Sequence, residues 1–124
     1  MIRVAIAGVG NCASALVQAL SASRKGPVEG LMRSRIGRWG VEDIEIVAAF
    51  DVDQRKVGLS VGEAALAPPN CTRVFESDLS VHRARVLMAP VLDGIAPHMA
   101  DYPDDEAFRV SSAKPVDVAA ALKD

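Results

Sequence analysis

The chain has 124 residues, enough for one domain at most, and half of them are apolar, which places it with globular rather than disordered chains. A formal charge of -2 gives no electrostatic basis for binding nucleic acid or an anionic membrane, and no apolar run approaches the roughly 18 residues that span a bilayer. The segment around Arg3 is not patterned as a secretory leader, and Cys12 and Cys71 form no metal or redox motif, so a reduced, cytoplasmic setting is expected.

Ile2 to Ala7 is a short, almost wholly apolar run, the pattern of a strand with both faces covered in a parallel sheet. Past a glycine turn, Ala13, Leu16, Val17 and Leu20 repeat at helical spacing and predict a helix that fades at Ser21-Ala22-Ser23. Residues 24–43 hold four glycines and five basic residues and read as an inserted loop, with Met32, Ile36 and Trp39 expected to pin it to the body. A solvated loop and a substrate or subunit contact are both open readings of it.

Ile44 to Phe50 is the second apolar strand, ending in Asp51-Val52-Asp53. A helix capped by Asp53 is expected to run through Val57 toward Leu66, weakened by Gly58 and Gly62 and ended by Pro68-Pro69-Asn70. Thr72 to Phe75 has the pattern of a short strand, and "ARVLMAPVL" contains a third strand ending near Pro90. Asp93-Gly94 marks a turn, Ala96 to Ser112 is weakly patterned and polar with an acidic surface at "DYPDDE", and Pro115 opens a last helix. His82 and His98 have no placed partner and are read as surface residues.

The chemistry lies in Gly8-Val9-Gly10-Asn11-Cys12-Ala13. This is G-x-G-x-x-A between a strand and a helix. Gly8 permits the tight turn, Gly10 lets a pyrophosphate approach the backbone, and Ala13 lets helix and strand pack closely. The free N–H groups and positive end of the helix then favour phosphate. The alternative is a glycine turn kept only for packing. Asn11 either hydrogen-bonds the cofactor or suits the turn, and Cys12 is either a reactive thiol at the first helical turn or a small lining residue.

A dinucleotide site also needs an acid at the end of the second strand for the adenosine ribose, about 20 residues beyond the glycines. Asp51 fits, though the inserted loop pushes it further along the chain. A helix cap is its other reading. An acid there disfavours a 2′-phosphate, so NAD is preferred over NADP, with Arg55 keeping NADP open.

Three strands account for the first half of a doubly wound, Rossmann-like α/β sheet. The first strand is then an open edge, and the expectation is a piece of a larger protein or one completed by another chain.

"VAIAGVGNCASALVQAL", "GLMRSRIGRWGVEDIEIVAAFDVDQRKVG", "VLDG" and "KPVDVAAALKD" together resemble the N-terminal part of myo-inositol-phosphate synthases, most closely the actinobacterial and archaeal branch. The resemblance covers nearly the whole chain, loop included. It implies an NAD-dependent isomerase of glucose 6-phosphate, acting by transient oxidation, intramolecular aldol closure and re-reduction. It also implies a homotetrameric whole enzyme whose catalytic lysines lie downstream. None of Lys25, Lys56, Lys114 or Lys123 matches such a motif, so the 124-residue chain alone is expected to be inactive, with no catalytic or metal-binding residues of its own. The cofactor end carries over: Gly8, Val9, Gly10, Asn11, Cys12, Ala13 and Asp51. Two stretches depart from the family pattern. Ser60 follows Lys56-Val57-Gly58-Leu59 where the family tends to place an acid beyond "K-V-G", and Met88 to Val91 replaces "R-G-x-T" ahead of Leu92-Asp93-Gly94. These leave two alternatives standing: a diverged, non-catalytic nucleotide-binding fragment that works with a partner chain, or another NAD-dependent Rossmann oxidoreductase.

Overall fold

The computed structural model describes residues 1–27 and 29–123; Val28 of the inserted loop and Asp124 lie outside it. Its centre is a parallel sheet of β1 (Ile2–Ala7), β4 (Ile44–Asp51) and β5 (Val86–Met88), in the order β1-β4-β5. That is the order of the first half of a Rossmann-like sheet, with β1 at the edge. Val4 aligns with Ile46 and Ala5 with Ala48, so Val47 is an extra residue that bulges β4.

Helices α1 (Asn11–Ser23) and α2 (Val61–Leu66) cover one face of this sheet. Ile6, Ile46, Ala49 and Val86 from the strands meet Ala13, Val17, Leu20, Val61, Ala64 and Ala65 from the helices in the core. The expectation that β1 is covered on both faces is corrected. Ile6 faces the core, but Arg3, Ala5 and Ala7 on the other face are exposed. Phe50 on that second face is buried, so the face is covered at the end of β4 and open along β1.

The buried stripe of α1 is also rotated from the predicted one. Leu16 is exposed, and Ser14, Gln18 and Ser21 are buried beside Ala13, Val17 and Leu20. The reason is that segment 67–76 lies on α1 over Ser14 and Gln18, bringing polar groups with it, and that His82 meets Ser21. Gln18, fully buried, accepts the N–H groups of Phe75 (2.8 Å) and Glu76 (3.2 Å) and donates to Ser14 Oγ. Asn70 donates to the same Ser14 Oγ and to Ala65 O. Thr72–Phe75 is therefore not a strand: its backbone is held by side chains of α1 rather than by a ladder.

The helix expected from Asp53 is split. Residues 54–58 form turns ending at Gly58, whose φ of +90° stops helical propagation. The chain restarts with Ser60 as N-cap of α2, in a capping box with Glu63. Gly62 is fixed by packing, because a Cβ there would sit 2.3 Å from Leu79 O. The inserted loop forms a small antiparallel ribbon of β2 (Arg35–Ile36) and β3 (Trp39–Gly40). Trp39 is half-buried with Arg38 stacked over its ring at 4.5 Å, but Met32 and Ile36 are exposed and pin nothing. The ribbon is attached instead through Val41 and Ile44. The last helix, α3 (Val118–Ala121), starts at the cap Asp117, whose carboxylate accepts from Ala120 N–H, not at Pro115.

His98 is exposed, edge-on to Tyr102, as expected. His82 is not a surface residue. It is buried, its Nε2 lies 3.1 Å from Ser21 Oγ, and its carbonyl accepts from Gly62 N–H. Burial lowers its pKa below 6.5, Arg24 lowers it further, and the Val17 carbonyl partly offsets both.

Two predictions follow from these buried polar groups. Gln18→Leu keeps the volume but strands two backbone N–H groups, and is expected to cost about 1–3 kcal/mol in urea denaturation. His82 binds its proton more readily in the unfolded chain than in the folded one. Its stabilising effect is therefore complete above pH 6.5 and is lost as pH falls from 6.5 through the lower folded value. Denaturation of wild type between about pH 7.5 and 5.5, which spans the ordinary histidine value, should show that slope, and His82→Gln should flatten it.

Candidate functional site

β1 leaves the sheet through Gly8 at φ +87°, a conformation that costs an L-residue about 1–2 kcal/mol. Gly8 N–H donates to Phe50 O (2.8 Å), which seats the turn against the end of β4. Val9 is fully buried beneath it. Gly10 is the N-cap of α1 at φ -92°, where any residue fits, and a Cβ there would meet no atom within 4 Å. The protein's own packing thus does not require glycine at this position. Its missing side chain keeps open the space in front of the helix.

That helix end offers strong donors. α1 has no side-chain cap and no acid in its first turn, and the N–H of Ser14, bonded to Gly10 O at 2.9 Å, is the first to be satisfied within the helix. The N–H groups before it, and the positive end of a 13-residue helix, remain available to an anion.

Asp51 closes the other side. One carboxylate oxygen accepts Val9 N–H at 2.6 Å, and the other accepts Val52 N–H (2.7 Å) and Asp53 N–H (2.8 Å). Asp51 therefore does not cap a helix. It fastens the glycine turn to the strand end while still lining the cleft. Asp53, buried, organises the next turn by accepting Arg55 N–H and pairing with the Arg55 guanidinium at 3.3 Å.

Gly8, Gly10, Asn11 and Asp51 line one cleft of about 380 Å³ at the carboxyl ends of the strands. Val9 and Ala13 are buried behind it and support it from below. Asn11 fastens a wall: its Oδ1 accepts Cys71 N–H (2.9 Å) and its carbonyl accepts the Thr72 hydroxyl (2.8 Å). Cys71 lines the cleft, whereas Cys12, though exposed, does not. Sequence reasoning missed Lys56, Glu106 and Phe108, which also line it. Lys56 is buried, and its Nζ donates to Val9 O. Desolvation lowers its pKa from 10.5, opposed by the charges of Asp51 and Asp53. Phe108 is brought in by a returning segment. Gln54 N–H donates to Arg109 O and Ser111 N–H to Val52 O (both 2.8 Å), and Arg55 donates to the carbonyls of Asp104 and Ala107. Only the position of Lys56 just past "DVD" signalled its place; nothing in the sequence signalled Phe108.

No protein-family model matches the chain. It is 45% identical to the inositol-3-phosphate synthase of Corynebacterium glutamicum, over 99% of this chain and 33% of that protein. It is 44% identical to the inositol-3-phosphate synthase of Mycolicibacterium smegmatis and 43% to that of Mycobacterium tuberculosis, with the same coverage. The chain is homologous to inositol-3-phosphate synthases. It spans about a third of the length of these relatives. Among solved structures, the crystal structure of Ari2 is similar, with a TM-score of 0.63 and 38% identity over 73% of this chain and 29% of that one.

Neither departure from the synthase pattern reaches the cleft wall. Ser60 is spent on capping α2. Met88 is buried in β5, and Val91 and Leu92 are exposed away from the cleft lining. Among the described residues, no three His, Cys, Asp or Glu side chains gather to hold a metal ion. The two glycines can be separated experimentally. Gly8→Ala is expected to lower stability by about 1–2 kcal/mol through its φ alone. Gly10→Ala should leave stability unchanged, as read by urea denaturation of both variants.

Proposed function

We propose that this chain forms the NAD-binding portion of an inositol-3-phosphate synthase, which converts glucose 6-phosphate to inositol phosphate. The observation that carries the reading is the convergence of an uncapped helix N-terminus, an open Gly10 and a strand-end carboxylate on one cleft. The homology to inositol-3-phosphate synthases supports the same reading.

In this reading the N–H groups at Gly10 to Ala13 bind the pyrophosphate, with Gly8 shaping the turn and Val9 and Ala13 holding it from beneath. Asp51 keeps one lone-pair direction on the oxygen that accepts Val9 N–H, and this accepts from an adenosine ribose hydroxyl. Val52, Pro69 and Phe108 give the adjoining walls apolar surface suited to a base. When bound, NAD supplies reversible hydride removal at the sugar's fifth carbon, which acidifies the neighbouring position for ring closure. The residues here bind and orient; they are not placed as proton carriers for the sugar. Cyclase turnover then requires residues beyond this third of the enzyme.

NAD is favoured over NADP. The Asp51 carboxylate repels a 2′-phosphate, and the Arg55 guanidinium is committed to Asp53 and to the carbonyls of Asp104 and Ala107. No helix among the described residues is long and apolar enough to cross a membrane.

Calorimetric titration should show saturable NAD binding and NADP binding at least about tenfold weaker. Gly10→Val, tolerated by the backbone at φ -92°, should abolish NAD binding without altering the circular dichroism spectrum. Equal affinity in wild type and Gly10→Val would falsify the assignment.

A further inference from the structure

Lys56 is an unusual residue for the floor of a cleft. It is buried to 3% exposure, on the turn that follows β4, and its ammonium group reaches back to the glycine turn to donate to Val9 O. Val9 N–H, at the other end of the same residue, goes to Asp51 Oδ2 at 2.6 Å. Two opposite charges, one at the end of β4 and one on the turn after it, thus hold both polar backbone groups of Val9.

The consequence lies in the peptide between Val9 and Gly10. It is trans; among the described residues the cis bond is Pro68-Pro69. In a trans peptide the C=O and the following N–H point in opposite directions across a rigid plane. A Val9 carbonyl drawn to Lys56 therefore turns Gly10 N–H to the other side of the plane, away from Lys56, and Gly10 itself lines the cleft. If that plane rotated, a carbonyl oxygen would face the space in front of α1, and its partial negative charge would oppose an anion there. Asp51 fixes the preceding peptide plane in the same way.

We propose that Lys56 is a positioning residue, which aims the Gly10 N–H at the pyrophosphate of the dinucleotide by holding the opposite side of the same peptide plane. This rests on the cofactor reading above. The competing role for Lys56 is a buried counter-ion to Asp51 and Asp53 that serves the fold alone.

The test uses the chain in wild-type and Lys56→Met forms, the latter keeping an unbranched apolar stem without a donor. Each is titrated with NAD and with adenosine, which lacks the pyrophosphate, while the Gly10 backbone amide is followed by nitrogen-15 NMR. Lys56→Met should weaken NAD by about tenfold or more, the scale of one charged hydrogen bond. It should also remove the Gly10 amide shift on NAD addition and leave adenosine affinity unchanged. Should Lys56→Met fail to fold, Lys56→Leu, which also lacks a donor, takes its place and the same readouts apply. The proposal is overturned if the variant binds NAD within about twofold of wild type and still shifts Gly10. A proportional loss of adenosine and NAD would overturn it too, since that marks a role in the fold. If wild type binds NAD, Gly10→Val does not and Lys56→Met does, the positioning role fails alone. If wild type binds no NAD, the cofactor reading fails with it.

Discussion

The hydrogen bond from Val9 N–H to the Asp51 carboxylate, 2.6 Å long, is the contact on which the cleft depends. It joins the glycine turn after β1 to the end of β4, the two places where a doubly wound sheet opens to a ligand. Gly8 alone does not set the direction of α1, because its missing Cβ only permits a turn. The direction is set when Gly8 N–H docks on Phe50 O and Val9 is held from both sides by Asp51 and Lys56. Each group is then paired in a half-buried corner, where an unpaired carboxylate or ammonium would be costly.

The walls of the cleft follow from a similar need to satisfy buried polar groups. Segment 67–76 lacks a strand partner, so its backbone must find acceptors and donors elsewhere. Gln18 and Asn11 on α1 accept its N–H groups, and in doing so they set Pro69 and Cys71 beside the glycine turn. The opposite wall is held through backbone bonds at Val52 and Gln54 and through Arg55, which reaches two carbonyls of the returning chain. A guanidinium with its donors fixed in a planar fork suits that task.

Much of this was legible in the residues themselves. The β1–turn–α1 unit, the apolar run of β4 and Asp51 at its end were all placed by local pattern. A local rule fails where a tertiary contact outweighs it. Asp53 has the look of a helix cap, but Gly58 ends that helix before it is established, and the Ser60–Glu63 box starts another. Leu16 fits the apolar stripe of α1 but is exposed, because the neighbouring segment needed hydrogen bonds from Gln18 more than apolar contact from Leu16. His82 has no partner close in sequence, the pattern of a surface residue; its partner is Ser21.

The sequence by itself determined the strand periods, the glycine turn and the acid that ends the second strand. These depend on backbone stereochemistry and on which side chains avoid water, and both act within a few residues. The tertiary structure alone decided what Lys56, Gln18 and Phe108 do. Their roles depend on distant parts of the chain: Val9 for Lys56, Phe75 for Gln18, and the Val52–Gln54 backbone for the segment that carries Phe108. Such pairings leave no periodic trace, because a hydrogen bond constrains where two groups meet in space and not how far apart they stand in the chain.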